Sequence, residues 1–228
     1  MANRYFTQDT FEFLAALAAN NRREWFDEHK PDYEATVRTP ALSFISDIAA
    51  ELALISPHFL ALPKKVGGAL MRVNRDIRFG KDKRPYKTNI GIQFRHEVGK
   101  DVHAPGYYLH IEPHEYFVGV GLWRPDAPAL GKIRDAIVDK GDAWLAARDD
   151  KNFNRKFSLA GDSLANPPRG YAKDHPLLHD LKRKDFIAIA QLSDAAVASK
   201  NFRPKVAEHF AEASPYMRYL CKALDLRF

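Results

Sequence analysis

The sequence predicts an α+β fold, in which a central, mostly antiparallel sheet is flanked by helices from the N-terminal and C-terminal parts of the chain. Three observations support this prediction. Apolar residues recur with helical spacing over about residues 7–55, with strand-like alternation over about residues 67–123, and in mostly helical segments over about residues 127–228. A chain of 228 residues can form one substantial core, and no low-complexity segment interrupts it, so we expect a single domain over residues 1–228.

The N-terminal part is predicted to be helical. Thr7 or Asp9 can cap a first helix that reaches Ala19, because a short polar side chain at this position accepts a backbone hydrogen bond. Pro31 and Pro40 each suit the first turn of a further helix, where the missing N–H of proline leaves no hydrogen bond unmade. Helical spacing of apolar residues after Pro40 continues to about residue 55.

The middle of the chain alternates apolar and polar residues with a period of two, which is typical of strands with one buried face. The predicted strands are residues 69–75, 87–96, 106–112 and 116–123. The turn Pro113-His114-Glu115 is short enough for a hairpin, so the last two strands are expected to be antiparallel.

The C-terminal part combines helices with two further strands. Helices are predicted near residues 130–138, 175–181 and 202–224, the last with an interruption at Pro215. Ser193-Asp194 can cap another short helix. Strands are expected near residues 153–159 and over residues 185–192.

The composition indicates an ordinary globular protein with a mildly basic surface. The formal net charge is +6, from 35 basic and 29 acidic residues, which is compatible with nucleic acid or phosphorylated ligands and requires neither. Cys221 is the only cysteine and lies in an apolar run, so an intrachain disulfide and a cysteine-rich zinc site are excluded. With no secretory signal and no apolar run of membrane-spanning length, the chain is predicted to be cytoplasmic and not associated with a membrane.

The most informative stretch is residues 72–87, R-V-N-R-D-I-R-F-G-K-D-K-R-P-Y-K, which we call the basic loop. It lies between the first two predicted strands, a common placement for a functional site. Only two acids, Asp76 and Asp82, oppose its seven basic residues, which are Arg72, Arg75, Arg78, Lys81, Lys83, Arg84 and Lys87. Such a cluster on an ordered turn is suited to bind a phosphate or a carboxylate.

Individual roles follow from the side-chain chemistry. Arg75 and Arg78 can each bind an oxyanion through two N–H groups, while Lys83 and Lys87 add point charges. Tyr86 can donate a hydrogen bond or stack on a base. Asp76 and Asp82 can orient the arginines or act in proton transfer. The alternative is a structural network in which Asp76 pairs with Arg78 or Asp82 with Lys87, although exposed pairs of this type contribute only about 0–1 kcal/mol each.

Two histidine patterns have spacings that are compatible with metal sites. Alternation places His110 and Glu112 on one strand face, but Pro113 turns the chain before His114, so a structural hairpin is favoured. His175 and His179 have suitable helical spacing but lack the glutamate of the H-E-x-x-H motif. We therefore expect no metal site and no cofactor. The sequence also lacks a P-loop, a G-x-S-x-G elbow and a dinucleotide-binding fingerprint, which disfavours those enzyme classes.

Within the basic loop, residues 75–87 read R-D-x-R-F-x-x-D-K-x-P-Y-K. This motif resembles the signature of a widespread microbial family catalogued as a conserved domain of unknown function. The likeness extends to residues 20–26, to the strands over residues 107–123 with G-L-W-R-P at residues 121–125, and to residues 168–171 followed by residues 174–176. The resemblance implies a single α+β domain in a bacterial-type cytosolic protein and implies no catalytic residue.

Three functions from different classes remain open. The preferred hypothesis is a binding module whose basic loop holds a phosphorylated small molecule or another anion. An enzyme acting on a phosphorylated substrate or nucleic acid is the second, with Asp76, Asp82 or Tyr86 in acid–base roles. The third is an interaction protein that docks an acidic partner. Nucleic acid binding predicts a steep loss of affinity with salt, but the sequence lacks a recognised nucleic-acid-binding motif. The sequence does not predict an oligomeric state.

Overall fold

The structure, a computed structural model, describes residues 4–78, 81–99 and 103–228. The N-terminal part is helical, as predicted. A single π-helical turn, Glu34–Arg38, joins the third and fourth helices. In chain order the helices are α1 Gln8–Ala19, α2 Arg23–Glu28, α3 Lys30–Tyr33, α4 Thr39–Asp47 and α5 Ala49–Ile55.

The described strands form one six-stranded sheet in the order β1-β2-β3-β4-β6-β5, and all its neighbouring strands are antiparallel. This arrangement confirms the predicted α+β class. The strands are β1 Phe59–Leu60, β2 Ile90–His96, β3 Gly106–Glu112, β4 Glu115–Leu122, β5 Ser158–Ala160 and β6 Phe186–Gln191.

The helices predicted near residues 130–138 and 202–224 form, the second with a break before Pro215, which occupies the first turn of the last helix. The helix predicted near residues 175–181 begins only at residue 178. Asp126 and Ser193 cap α6 and α10 by accepting backbone hydrogen bonds from Ala129 and Ala196. The C-terminal helices are α6 Ala127–Asp139, α7 Gly141–Arg148, α8 Lys151–Lys156, α9 Leu178–Leu181, α10 Asp194–Ala198, α11 Phe202–Glu212 and α12 Ser214–Ala223. In the described part of the chain, none of the helices combines the length and apolar character that crossing a bilayer requires.

One face of the sheet packs against the helices. Its inward-facing residues alternate with outward-facing ones, as in β3, where Tyr107 and Leu109 are fully buried. Tyr107 contacts Phe210 of α11 at 4.7 Å between ring centroids, and Phe44 of α4 meets Phe202 of α11 at 5.5 Å. Helices from both ends of the chain therefore share one core. Cys221 is buried within it, as its apolar neighbours predicted.

Several predicted element boundaries were wrong. Residues 69–75 do not form a strand: backbone bonds join Met71 to Gly91 and Gln93 to Ala69 beside β2, after which the chain leaves the sheet. The strand predicted over residues 87–96 begins only at residue 90. The predicted strand near residues 153–159 is mostly α8, since Asp150 caps a helical turn there, and only β5 remains extended.

Candidate functional site

The basic loop is closed at its base by backbone hydrogen bonds. Arg75 N–H donates to Pro85 O at 2.8 Å, and Lys87 N–H donates to Val73 O at 2.8 Å, on either side of an isolated bridge between Asn74 and Tyr86. We call these paired residues, 73–75 and 85–87, the neck of the loop. Its tip includes residues 79 and 80 (Phe79 and Gly80), which lie outside the described residues.

Two residues of the N-terminal part fasten the neck. The Asn21 side chain donates to Tyr86 O at 3.0 Å and accepts from Tyr86 N–H at 3.0 Å, as a neighbouring strand would. The Tyr86 ring is buried and stacks on Phe26 with 4.1 Å between centroids, and burial raises the pKa of Tyr86. Tyr86 therefore anchors the loop, and its ring is not positioned to stack on a ligand.

The charges beyond the neck form an internal network. The Arg78 side chain donates two hydrogen bonds to Asp76, from Nε to Oδ1 at 2.9 Å and from Nη2 to Oδ2 at 2.7 Å. This is the Asp76–Arg78 pair that the sequence offered as a structural alternative. Lys83 also turns inward, because its Nζ donates to the backbone oxygen of Ile77 at 2.9 Å.

Asp82, the second acid of the loop, accepts hydrogen bonds from two arginines. Asp82 Oδ2 accepts from Arg84 Nη2 at 2.7 Å and from Arg75 Nη1 at 2.5 Å. The expected alternative pair of Asp82 with Lys87 was therefore wrong. Hydrogen bonds from Arg78 to Asp76, and from Arg84 to Asp82, hold the pKa of both carboxyl groups well below their usual range.

A polar groove of about 320 Å³ lies beside the neck and is lined by Arg75, Asp76, Lys87, Thr88 and Asn89. Lys87 is only partly exposed, and burial, assisted by the nearby charges of Arg72 and Arg75, lowers the pKa of its ammonium group. Among the described residues no carboxylate pairs with Lys87. Among the described lining residues, Lys87 is therefore the cation whose charge no carboxylate compensates, since Arg75 pairs with Asp82.

Two lining residues of the groove, Thr88 and Asn89, contact the polar face of the sheet, and the sequence analysis did not predict these contacts. Thr88 Oγ1 donates to Glu112 Oε1 at 2.5 Å, and Asn89 Nδ2 lies 3.4 Å from His110 Nδ1. Tyr108 Oη lies 3.1 Å from the same nitrogen. The sequence signal was present, because alternation places residues 108, 110 and 112 on one face of β3.

The two predicted histidine patterns have different outcomes. His179 is exposed, and His175 Nδ1 accepts a hydrogen bond from Leu177 N–H within its own turn. Within the described ranges, the one set of three close metal-ligating groups is His110, Glu112 and Glu115, whose ligand atoms lie within 4.8 Å of one another. His114 is not a member.

A second, larger groove lies elsewhere. It has a volume of about 550 Å³, and its lining includes Phe11 of α1, Pro113 of the β3–β4 turn and Tyr116 of β4. Its surface is mainly apolar, and none of the described residues that line it is a lysine or an arginine, in contrast to the groove beside the neck.

Comparison with known proteins identifies a family. The family described as "Conserved hypothetical protein (DUF2461)" matches residues 9–219, which is nearly the whole chain. No curated protein and no solved structure matches the chain. The match bears out the resemblance expected from the sequence and adds no activity to it.

Proposed function

The chain belongs to the DUF2461 family of conserved hypothetical proteins, and since that description names no activity, we propose a function from the geometry. The protein is a binding module, and its basic loop holds a phosphorylated small molecule or another small anion in the groove beside the neck. We also propose that it works in the cytoplasm, because its single buried cysteine suits a reducing compartment.

The environment of Lys87 is the observation that carries this proposal. An ammonium group that is partly withdrawn from water loses solvation, and nearby cations add repulsion. The charged form of Lys87 is destabilised by burial and by repulsion from Arg72 and Arg75. No described carboxylate compensates for these two effects. An anion in the groove would offset both, so the groove is better suited to a ligand than to being empty.

The rest of the lining suits an oxyanion. Among the described residues, Arg75 engages only its Nη1 with a carboxylate, which leaves its other N–H groups for a second acceptor. Asn89 adds an amide, which is a common phosphate partner, whereas the Thr88 hydroxyl that also lines the groove already donates to Glu112. Asp76 also lines the groove, and Arg78 already compensates its negative charge.

Size and protonation favour small-molecule binding over the alternatives. A volume of about 320 Å³ lies at the lower end of small-molecule pockets and offers a small footprint for a nucleic acid. Asp76 and Asp82 remain ionised at neutral pH, and arginine donors occupy their oxygens. Neither carboxyl can donate a proton there, so these two acids are better explained as positioning the arginines than as proton-transfer groups.

A thermal-shift screen tests the proposal, with inorganic phosphate, sugar phosphates, nucleotides, carboxylates and short oligonucleotides as probes. A ligand present at about 100 times its dissociation constant should stabilise the fold by about 2.7 kcal/mol. Hits are then measured by calorimetry with Lys87→Ala and Arg75→Ala. Lys81→Ala is the matched control, because Lys81 is an exposed residue of the same loop that does not line the groove.

We expect both groove variants to lose binding while Lys81→Ala retains it. Equal losses in all three variants would show general attraction to a basic surface and would contradict a defined site. Undiminished binding by Lys87→Ala would refute the assignment of the groove. A hit confined to oligonucleotides, with affinity that falls by orders of magnitude as salt rises, would replace the small-molecule ligand with a nucleic acid.

A further inference from the structure

Three potential metal ligands meet at the end of the β3–β4 hairpin. His110 and Glu112 lie two residues apart on the polar face of β3, and Glu115 begins β4 directly opposite Glu112. Their ligand atoms all lie within 4.8 Å of one another. This distance is short enough for one ion to contact all three groups after small side-chain adjustments.

The electrostatics of the hairpin end favour a cation. Like charges directly opposite each other on neighbouring strands destabilise the pair. Among the described residues, no lysine or arginine lies within ion-pair distance of Glu112 or Glu115. The charge of Glu112 acts on Arg84 at longer range, but Arg84 Nε and Nη2 donate to Asp82. A bound cation would compensate both carboxylates.

The two strand residues are already oriented by their neighbours. The His110 ring stacks on Phe117 with 4.6 Å between centroids and 6° between planes, so its rotation is restricted. Tyr108 Oη contacts His110 Nδ1, while Nε2 faces Glu112 Oε2 at 3.3 Å. Thr88 Oγ1 donates a hydrogen bond to Oε1, the other carboxylate oxygen of Glu112. Outer contacts of this type fix the ring and carboxylate of metal ligands.

From this arrangement we propose that His110, Glu112 and Glu115 form a binding site for a divalent transition metal such as Zn²⁺. In the tautomer that carries its proton on Nδ1, His110 can donate to Tyr108 Oη, and its Nε2 then presents a lone pair to the ion. Imidazole favours zinc and related metals over Mg²⁺ and Ca²⁺, which prefer sites made only of oxygen ligands. Three protein ligands leave a coordination position open for water or another ligand.

The site differs from the H-x-E-x-H pattern that the sequence displays. His114 lies in the turn with φ of 66° and is exposed, and its place in the set is taken by Glu115. The proposal departs from the prediction of no metal site. It also stands independently of the basic loop, because it requires no phosphorylated ligand.

Calorimetric titration of the full-length, tag-free protein with Zn²⁺ in a non-coordinating buffer tests the site. We expect one saturable site in the wild type. Glu115→Gln and His110→Ala should each weaken binding by more than about tenfold, since loss of an outer-shell partner alone costs roughly 10- to 100-fold. His114→Asn is the matched control, because it removes the adjacent histidine while asparagine tolerates the positive φ.

Retained affinity in His114→Asn together with losses in the other two variants would support the site. The absence of saturable binding in the wild type would overturn it, as would unchanged affinity in Glu115→Gln. Glu115 is exposed and its substitution is not expected to unfold the protein, so this variant remains informative even if His110→Ala is unstable. Equally tight binding of Mg²⁺ would contradict the role given to His110.

Discussion

Replacement of Asn21 by alanine should loosen the attachment of the basic loop to the N-terminal helices. The substitution removes two hydrogen bonds of 3.0 Å, one to Tyr86 O and one from Tyr86 N–H. A neutral hydrogen bond contributes a net stabilisation of about 0.5–1.5 kcal/mol, so the pair should contribute about 1–3 kcal/mol. Because the stack of Tyr86 on Phe26 is retained, we expect destabilisation without unfolding.

Urea denaturation followed by circular dichroism measures this effect. With a slope of about 3 kcal/mol per molar urea, the midpoint of Asn21→Ala should fall by roughly 0.3–1 M with the slope unchanged. Asn154→Ala is the control, since Asn154 is exposed on α8 and should change stability by less than about 0.5 kcal/mol. A midpoint for Asn21→Ala equal to that of the control would refute the reasoning and leave the aromatic stack as the sole fastening.

Three further predictions concern the core, the thiol and the loop. Gly121→Ala should abolish folding, because the new Cβ would lie 2.0 Å from the carbonyl oxygen of Phe186 at a residue with φ of 108°. Gly131→Ala on α6, where a Cβ meets nothing within 4 Å, should instead raise the free energy of unfolding by about 0.5–1 kcal/mol in urea titrations; instability of both variants would contradict this contrast. Burial raises the pKa of Cys221 to about 12, so a disulfide reagent at mildly alkaline pH should modify it only after denaturation, and rapid modification of the native protein would contradict its burial. Asp82 has a folded pKa below its usual 3.8, so its ion pairs stabilise the fold above that pH and are lost as the pH falls below it. Asp82→Asn should therefore unfold at lower urea than wild type at neutral pH but not in strong acid, and a difference that persists there would contradict the linkage.

The sequence predicted the fold well where the pattern of apolar residues within one segment is enough to determine its secondary structure. The alternation in residues 106–112 gives β3 with the predicted bounds, because side chains of a half-buried strand must alternate between core and solvent. Residues 69–75 have a similar pattern, but a strand also needs a continuous partner. Only Ala69 and Met71 exchange backbone bonds with β2 before the chain turns away to build the neck. Pairing of this kind depends on distant residues, so periodicity alone could not reveal it.

The candidate site was less predictable, because the number of charged residues in a segment does not show which of them form ion pairs with each other. The cluster of cations was evident in the sequence, and so was the Asp76–Arg78 pair, since both residues lie on one short turn. The burial of Tyr86 depends on Phe26, about 60 positions earlier in the chain, so the residues next to Tyr86 in the sequence could not predict it. The grouping of Glu115 with His110 depends on the register of the hairpin, which the length of the turn alone did not fix.

The distribution of charge within the basic loop explains why we place the anion at the neck and not at the tip. Towards the tip, Arg78 and Arg84 are committed to Asp76 and Asp82, and Lys83 to a backbone oxygen. At the neck, no described carboxylate lies within ion-pair distance of Lys87. The neck is also the part that backbone bonds and the N-terminal helices hold in place. A ligand that binds there meets groups that are already ordered, so little conformational entropy is lost on binding. Uncompensated charge on an ordered support therefore distinguishes the groove from an ordinary charged surface loop.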